Sequence, residues 1–491
     1  NMKKKLALYL NVVAPYPVAE LHASQKEYVN SFDEVVLFRN SWATRFNHFN
    51  PVGRPATFIF ERQRAKSVGK FLDRPVIPIS LQNSNEIEIR VEDRERINNG
   101  VMSSIASYLR IADRSQLNHR WRNIEKNLMT NSLHIHKYFL QELADEFTDV
   151  ACFNGRFCED VAFITASKKL KLNYKVYDFK KAGSYYEFHN SALHNVQENC
   201  TRAKKYYLQD RKRAYAVADE FVSKKLIGTE TYEKSYTSKQ KYGVIDNLID
   251  VNKVNISVFP SSDDEYRFLA GDWGVPIVDD QINEIINLSE SLGSEYNIIV
   301  RMHPNMVTMA KVIYNRYIQL QRFSNIHLIE PASSASTYEL MFKTDFVVSF
   351  CSTMGFEATF AKKKSISIGG SPYHALPITE KAYSGWECAE MIKTNKIKIK
   401  SKLASIIWMN YLWKYTQENP YIRETRIEAN NERGTEFLFE LQNTHFYRLL
   451  IIYDRLELQI VKGQKINNKI LKSWVRALLD ILTNKSKNKI D

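Results

Sequence analysis

Between Asp149 and Tyr177, fewer than thirty residues hold a short apolar run, a stretch with apolar side chains at helical spacing, and a second short run. The runs are Asp149-Val150-Ala151-Cys152-Phe153 and Tyr174-Lys175-Val176-Tyr177, and Val161, Ala162, Ile164, Thr165 and Leu170 lie between them. Strand, helix and strand over so short a distance form a βαβ unit, whose crossover belongs to a parallel sheet. That unit commits the chain around it to an α/β fold.

The rest of the chain repeats the pattern. Glu34-Val35-Val36-Leu37-Phe38 and Thr57-Phe58-Ile59-Phe60 read as strands, and residues 200–226 as one long basic helix. Residues 229–255 are polar, contain Gly243 and read as a linker between domains. A second series follows, with strands at 255–259, 297–302, 326–329, 345–350 and 365–368 and helices near 280–293, 336–343 and from 355. This is the spacing of a doubly wound sheet. After residue 400 strands mostly cease, and the tail reads as aromatic and helical. At 491 residues the chain exceeds what one core of ~250–300 residues holds, so two large domains are expected. The expected limits are 1–235 for an N-terminal Rossmann-like domain, 236–400 for a C-terminal one and 401–491 for a helical extension.

Composition narrows function less than fold. A net charge of +14 suits phosphates, whether in nucleic acid, an anionic membrane or a small molecule. No RNA-binding aromatic signature or helix-turn-helix pattern accompanies it, so nucleic acid is not the expected partner. The five cysteines are sparse and odd in number, with neither a Cys-x-x-Cys pair nor zinc-type spacing, which fits free thiols in a reducing compartment and no bound metal. Lys3-Lys4-Lys5 before Leu6-Ala7-Leu8-Tyr9-Leu10 imitates an export signal. Asn11 breaks the apolar run and no small-x-small cleavage site follows, so a first buried strand in a cytoplasmic protein is expected.

In open α/β sheets ligands bind beyond the carboxyl ends of the strands. Three loops stand there in the second half: the one opening Pro260-Ser261-Ser262, His303-Pro304-Asn305, and Cys351-Ser352-Thr353-Met354-Gly355-Phe356-Glu357-Ala358. Ser352 and Thr353 precede a helix, where hydroxyls and free N–H groups grip a phosphate or simply cap the helix. Gly355 permits close backbone approach, and Glu357 falls in reach of sugar hydroxyls. His303 suits donation to a phosphate or protonation of a departing oxygen, although a lone histidine equally serves structure. Pro304 fixes the turn after it.

Taken in order, Ser261-Ser262-Asp263-Asp264-Glu265, Arg301-Met302-His303-Pro304-Asn305, Ser352-Thr353-Met354-Gly355-Phe356-Glu357-Ala358 and Gly370-Ser371-Pro372-Tyr373 resemble the motifs of the bacterial capsule-polysaccharide biosynthesis glycosyltransferases. These relate to Kdo transferases and more distantly to sialyltransferases. In the first half, Asn154-Gly155-Arg156 resembles an element common in such proteins, and Asp178 followed by Gly183 stands where relatives carry Glu-x-Gly. The resemblance spans about residues 150–375.

It implies a GT-B fold, with two facing Rossmann-like domains and the nucleotide-sugar on the C-terminal one. It also implies a CMP-activated nonulosonic acid or Kdo donor, no metal or other cofactor, and a glycan or lipid-linked glycan acceptor. Ser261, Ser262, Glu265, Arg301, Pro304, Asn305, Ser352, Thr353, Gly355 and Glu357 would bind nucleotide or donor, with Glu357 on the ribose. His303 would assist the leaving phosphate. Asp178 is the first candidate base, with Asp160 and Glu159 behind it. Asn154, Gly155 and Arg156 would meet the acceptor or the donor carboxylate, Arg156 as a bidentate partner or as a structural residue. A teichoic-acid-type polyol-phosphate transferase and a nucleotide-sugar epimerase are the alternatives. Finally, residues 462–491 carry eight cations against two carboxylates beside a Leu471, Trp474, Leu478 and Leu482 stripe. From 465 onward this suits a helix on an anionic inner membrane, or one packed on the N-terminal domain.

Overall fold

A computed structural model describes residues 3–11, 18–48, 50–80, 88–111, 113–144, 146–180, 185–226, 237–262, 264, 266–269, 273–413, 417–418, 422–426, 433–437 and 475. It divides into two compact units. One is Asn1–Leu193, which takes in the strand Gln417–Glu418, and the other is His194–Tyr415.

The first unit begins with β1 (Lys5–Leu10), α1 (Val18–Ala23), α2 (Lys26–Asn30) and β2 (Glu34–Arg39). It continues through α3 (Pro55–Leu72), β3 (Val76–Pro78), α4 (Val91–Leu109) and α5 (His119–Glu142). Then come β4 (Asp149–Phe153), α6 (Cys158–Lys169), β5 (Asn173–Lys180) and β6 (Tyr185–His189). Its parallel strands run in the order β5-β4-β1-β2-β3, with β6 added antiparallel to β5. That is the Rossmann order, and its direction reverses between β1 and β4. Strand β1 shows why both faces are covered. Ala7 and Tyr9 join Phe139 and Phe163 on one side, while Leu6, Leu8 and Leu10 join Val18, Leu21 and Val68 on the other.

The second unit opens with two helices, α7 (Val196–Gln209) and α8 (Arg211–Leu226). Next come β7 (Val254–Phe259), α9 (Gln281–Leu292), β8 (Tyr296–Arg301), α10 (Lys311–Ile318), β9 (Ile326–Ile329) and α11 (Thr337–Lys343). The unit ends with β10 (Phe346–Ser349), α12 (Met354–Phe360), β11 (Lys364–Ile368), β12 (Glu380–Ala382), α13 (Gly385–Lys393) and α14 (Lys402–Trp413). All six strands are parallel, in the order β12-β11-β10-β7-β8-β9. The reversal lies between β7 and β10. Both units are therefore Rossmann-like, and the chain is α/β.

Four expectations change. Thr57–Phe60 is helical, inside α3, because Pro55 starts a helix that the short apolar run only continues. The basic helix at 200–226 is two helices broken at Asp210, whose carboxylate accepts from the Arg213 N–H at 2.9 Å and starts α8 afresh. Both helices belong to the second unit, so the division falls near 193 rather than 235. The cause is packing: Cys200, Ala203, Ala214, Ala218 and Phe221 share a core with Tyr373, Trp408, Met409 and Tyr411, and the Tyr411 hydroxyl donates to Asn199 at 3.0 Å. Lastly, strands do follow residue 413, with β13 (Gln417–Glu418) pairing β6 and β14 (Ile422–Arg426) pairing β15 (Arg433–Phe437).

Among the described residues no helix is long and apolar enough to cross a membrane. The segment 465–491, apart from Val475, lies outside the described residues.

Candidate active site

Each sheet carries polar side chains at the carboxyl ends of the strands that flank its reversal. In the first unit, β4 ends in a tight turn with Asn154 at φ 58° and Gly155 at φ 80°. A Cβ on Gly155 would lie 2.7 Å from Val176 Cγ1 and 2.9 Å from Ile164 Cδ1, so only glycine fits. The Asn154 amide donates to Asp178 Oδ2 at 3.1 Å and its carbonyl accepts from the Arg156 N–H at 3.3 Å. The turn thus holds the half-buried Asp178 at the end of β5. Arg156 stacks over Phe157 and donates to the Ser107 hydroxyl at 3.0 Å.

Directly below, Glu159 and Asp160 occupy the first turn of α6 with no exposed surface. Glu159 collects donors: the Asn11 amide at 2.7 Å, the His48 N–H at 3.1 Å and the Cys158 thiol at 2.7 Å. Neither carboxyl oxygen of Asp160 meets a hydrogen-bond partner in good geometry. Glu61, also buried, receives the Asn47 amide at 3.1 Å. Burial raises all three carboxyls, and for Asp160 the Glu159 charge raises it further. Donors oppose the shift at both groups, the Asn11 amide, the His48 N–H and the Cys158 thiol at Glu159 and the Asn11 amide and the Gly155 N–H at Asp160, yet burial still holds the pair toward its protonated form. Asn11, His48, Glu61 and Cys158 were not singled out in the sequence. Asn11 carried a signal, as the polar residue that closes the first apolar run; His48 in a loop, Glu61 within α3 and Cys158 at the start of α6 carried none.

This arrangement has a consequence for stability. The ordinary Asp pKa is 3.8, and the folded value of Asp160 lies well above it. Between those values the folded chain keeps a proton that the unfolded chain releases, so stability falls as pH rises. Asp160→Asn keeps the shape and removes the titration. Its stability relative to the parent is expected to improve steadily from about pH 4 toward neutrality, as read by urea unfolding across pH. Parallel pH profiles for the two proteins would refute the assignment.

In the second unit the reversal between β7 and β10 is flanked by the Ser261-Ser262 and Ser352-Thr353 loops, and His303 follows β8, the other neighbour of β7. The structure therefore brings the three expected loops onto adjacent strands. Between the ends of β7, β10 and β11 lies a recess open to solvent, lined in part by Ser261, Tyr266, Trp273, Gln281, Cys351 and Gly370. The indole N–H of Trp273 is buried there and has no partner among the described residues. Ser261 is braced by Gln281, whose Oε1 accepts the Ser261 N–H at 3.0 Å, and Ser262 donates to Asp264. His303 caps the turn Pro304–Thr308, its Nδ1 accepting the Asn305 N–H at 3.0 Å. That contact puts the proton of the neutral ring on Nε2, a donor. Ser352 Oγ accepts the Met354 N–H at 3.3 Å and keeps its own hydrogen to give, while Thr353 is exposed and makes no cap bond.

Three expected residues have other work. Arg301 is buried and donates to the carbonyls of Met302, Glu330 and Ser333, which ties the β8 and β9 loops together; burial pulls it down to about 10. Glu357 is also buried, and it accepts from the Tyr338 hydroxyl and from Lys225 Nζ at 3.0 Å instead of facing a ribose. Gly355 is needed because a Cβ would collide with the Tyr373 hydroxyl and lie 2.7 Å from Ser349 Oγ. Close approach occurs there, to a tyrosine of the fold. Glu265 lies outside the described residues. Among the described residues no group of three His, Cys, Asp or Glu side chains is placed to hold a metal ion.

No protein-family model matches the chain, and no curated protein does. Solved structures similar to it include two Kdo transferase structures of KpsC from Thermosulfurimonas dismutans. The β-Kdo 2,4 transferase is 12% identical over 66% of this chain and 90% of its own, with a TM-score of 0.34. The β-Kdo 2,7 transferase is 12% identical over 62% and 85%, also at 0.34. The UDP-GlcNAc 2-epimerase of Neisseria meningitidis, bound to UDP-GlcNAc, is 11% identical over 83% and 90%, at 0.21. At such scores the functional case rests on the residues of the chain itself.

Proposed function

We propose that this protein is a glycosyltransferase that moves a nonulosonic acid or Kdo-type sugar from a CMP-activated donor to a surface-polysaccharide acceptor. The observation that carries the proposal is the convergence of hydroxyl and imidazole donors on β10, β7 and β8, three adjacent parallel strands spanning the reversal of the second sheet. A departing CMP develops phosphate charge, and prearranged donors aimed at that charge supply the largest catalytic term. Ser352 and Thr353 offer hydroxyls and His303 an Nε2–H for this role. The recess beside Ser261 and Trp273, where the Tyr266 and Trp273 rings stand beside the polar side chains of Ser261, Arg267 and Gln281, is assigned to the nucleoside portion. On the acceptor side Asp178, oriented by Asn154, serves as base, whereas Asp160, without exposed surface and held toward its protonated form, does not suit that role. Asn154, Gly155 and Arg156 frame that position.

The test is thermal shift with CMP, UDP, CDP-glycerol and NAD. Stabilisation by CMP is expected. A response confined to UDP or CDP-glycerol would overturn the donor assignment and favour an epimerase or a polyol-phosphate transferase. His303→Ala is expected to lower transfer at least about a hundredfold, while loss of its turn cap costs about 1 kcal/mol and leaves the protein folded.

A further inference from the structure

Helices α7 and α8 turn one face inward and leave the opposite face of their corner in solvent. Lys204, Lys205, Leu208, Arg211, Lys212, Arg213 and Tyr215 are all exposed, whereas Cys200, Ala203, Ala214 and Ala218 are buried. The two helices repeat one device. Lys204 and Lys205 stand four and three residues before Leu208, and Arg211 and Lys212 stand four and three before Tyr215. At those spacings each pair of cations flanks an apolar side chain on one helix face. Leu208 keeps 63% of its surface exposed and Tyr215 42%, which is a high exposure for apolar side chains beside an available core. Among the described residues none of the five cations forms an ion pair; Arg211 lies over the Tyr207 ring, and Asp210 serves the Arg213 N–H.

We propose that this corner docks the protein on an anionic lipid bilayer. The charge complementarity is direct: five cations and one carboxylate lie within residues 204–213. Each Lys or Arg near an anionic surface gains from its potential, and the stems extend so that the heads reach the phosphates while Leu208 enters the interface. A polynucleotide would use the same cations and has no use for an exposed leucine, so the pairing of charge with Leu208 selects lipid. Its use does not depend on the reaction proposed above.

The full chain is tested by sedimentation with vesicles of phosphatidylglycerol in phosphatidylcholine, against phosphatidylcholine alone and against duplex DNA. Binding to the anionic vesicles that weakens with salt is expected. K204Q/K205Q/R211Q/K212Q should weaken that binding at least about tenfold. Leu208→Ser should weaken it about threefold with no change in salt dependence. All these positions are exposed, and unchanged melting temperatures confirm that the variants are folded. Equal binding by parent and four-site variant overturns the proposal. So does a corner that binds DNA more tightly than vesicles with no effect of Leu208→Ser.

Discussion

Asp178→Asn is expected to lower glycosyl transfer by about a hundred- to ten-thousand-fold, the range over which a positioned general base contributes. Asn154 donates to Asp178 Oδ2, and this bond fixes the carboxylate at the end of β5 beyond a turn that Gly155 keeps tight. The substituted amide retains the size of the side chain and cannot take a proton from an acceptor hydroxyl. Donor binding is read separately: the shift in melting temperature with CMP should match the parent, because the donor loops belong to the other unit. A turnover within about threefold of the parent would remove Asp178 from the base role. A lost CMP response would instead mean that Asp178 acts on the donor. Asn154→Ala supplies the graded companion. It leaves the carboxylate in place without the Asn154 donor and should reduce turnover less than Asp178→Asn does.

Glu357→Ala should destabilise the second unit by about 3 kcal/mol or more, the scale for removing one member of a buried ion pair. Glu357 joins Lys225 of α8, Tyr338 of α11 and its own helix α12, with 2% of its side chain exposed. The alanine variant leaves the Lys225 ammonium and the Tyr338 hydroxyl without their acceptor and opens a cavity under α12. Glu357→Gln is expected to lose less, since the amide oxygen still accepts from Tyr338. Equilibrium urea unfolding measures both. A loss below about 1 kcal/mol for the alanine variant would show that the cluster re-forms around water. The choice matters functionally, because α12 carries the Ser352-Thr353 turn at its start. Reduced transfer in this variant should follow reduced stability and recover at lower temperature.

The strands of the second unit were legible because parallel strands covered on both faces are nearly continuous apolar runs, as in Asn297–Arg301 and Phe346–Ser349. The loops at their ends were legible for a related reason: polar residues that break such runs abruptly stand at one edge of the sheet. Direction within a motif was not legible. Glu357 lies five residues from Ser352 in a recognisable string, yet its place on α12 turns it toward Tyr338 and away from the recess. Gly355 has the same history, since its neighbour Tyr373 is eighteen residues away and no local pattern announces the contact. The buried acid group in the first unit shows the limit most plainly. Asn11, His48, Glu61 and Glu159 are spread along the chain, and only the folded unit brings them together. Thr57–Phe60 failed for the opposite reason, as a threonine and three apolar residues fit a strand and a helix equally and only Pro55 distinguishes them.

The position of α7 and α8 ahead of the second sheet has a practical consequence for dissecting the molecule. The unit His194–Tyr415 is an insertion in the chain of the first unit, since β13 returns to pair with β6. A fragment cut at the polar segment near residue 236 would start after these helices and expose the surfaces of Tyr373, Trp408 and Met409 that Ala203, Ala214 and Phe221 cover. Such a fragment should aggregate on expression. One that runs from 194 to 415 keeps its core whole, and two halves divided near 240 should find each other again when mixed.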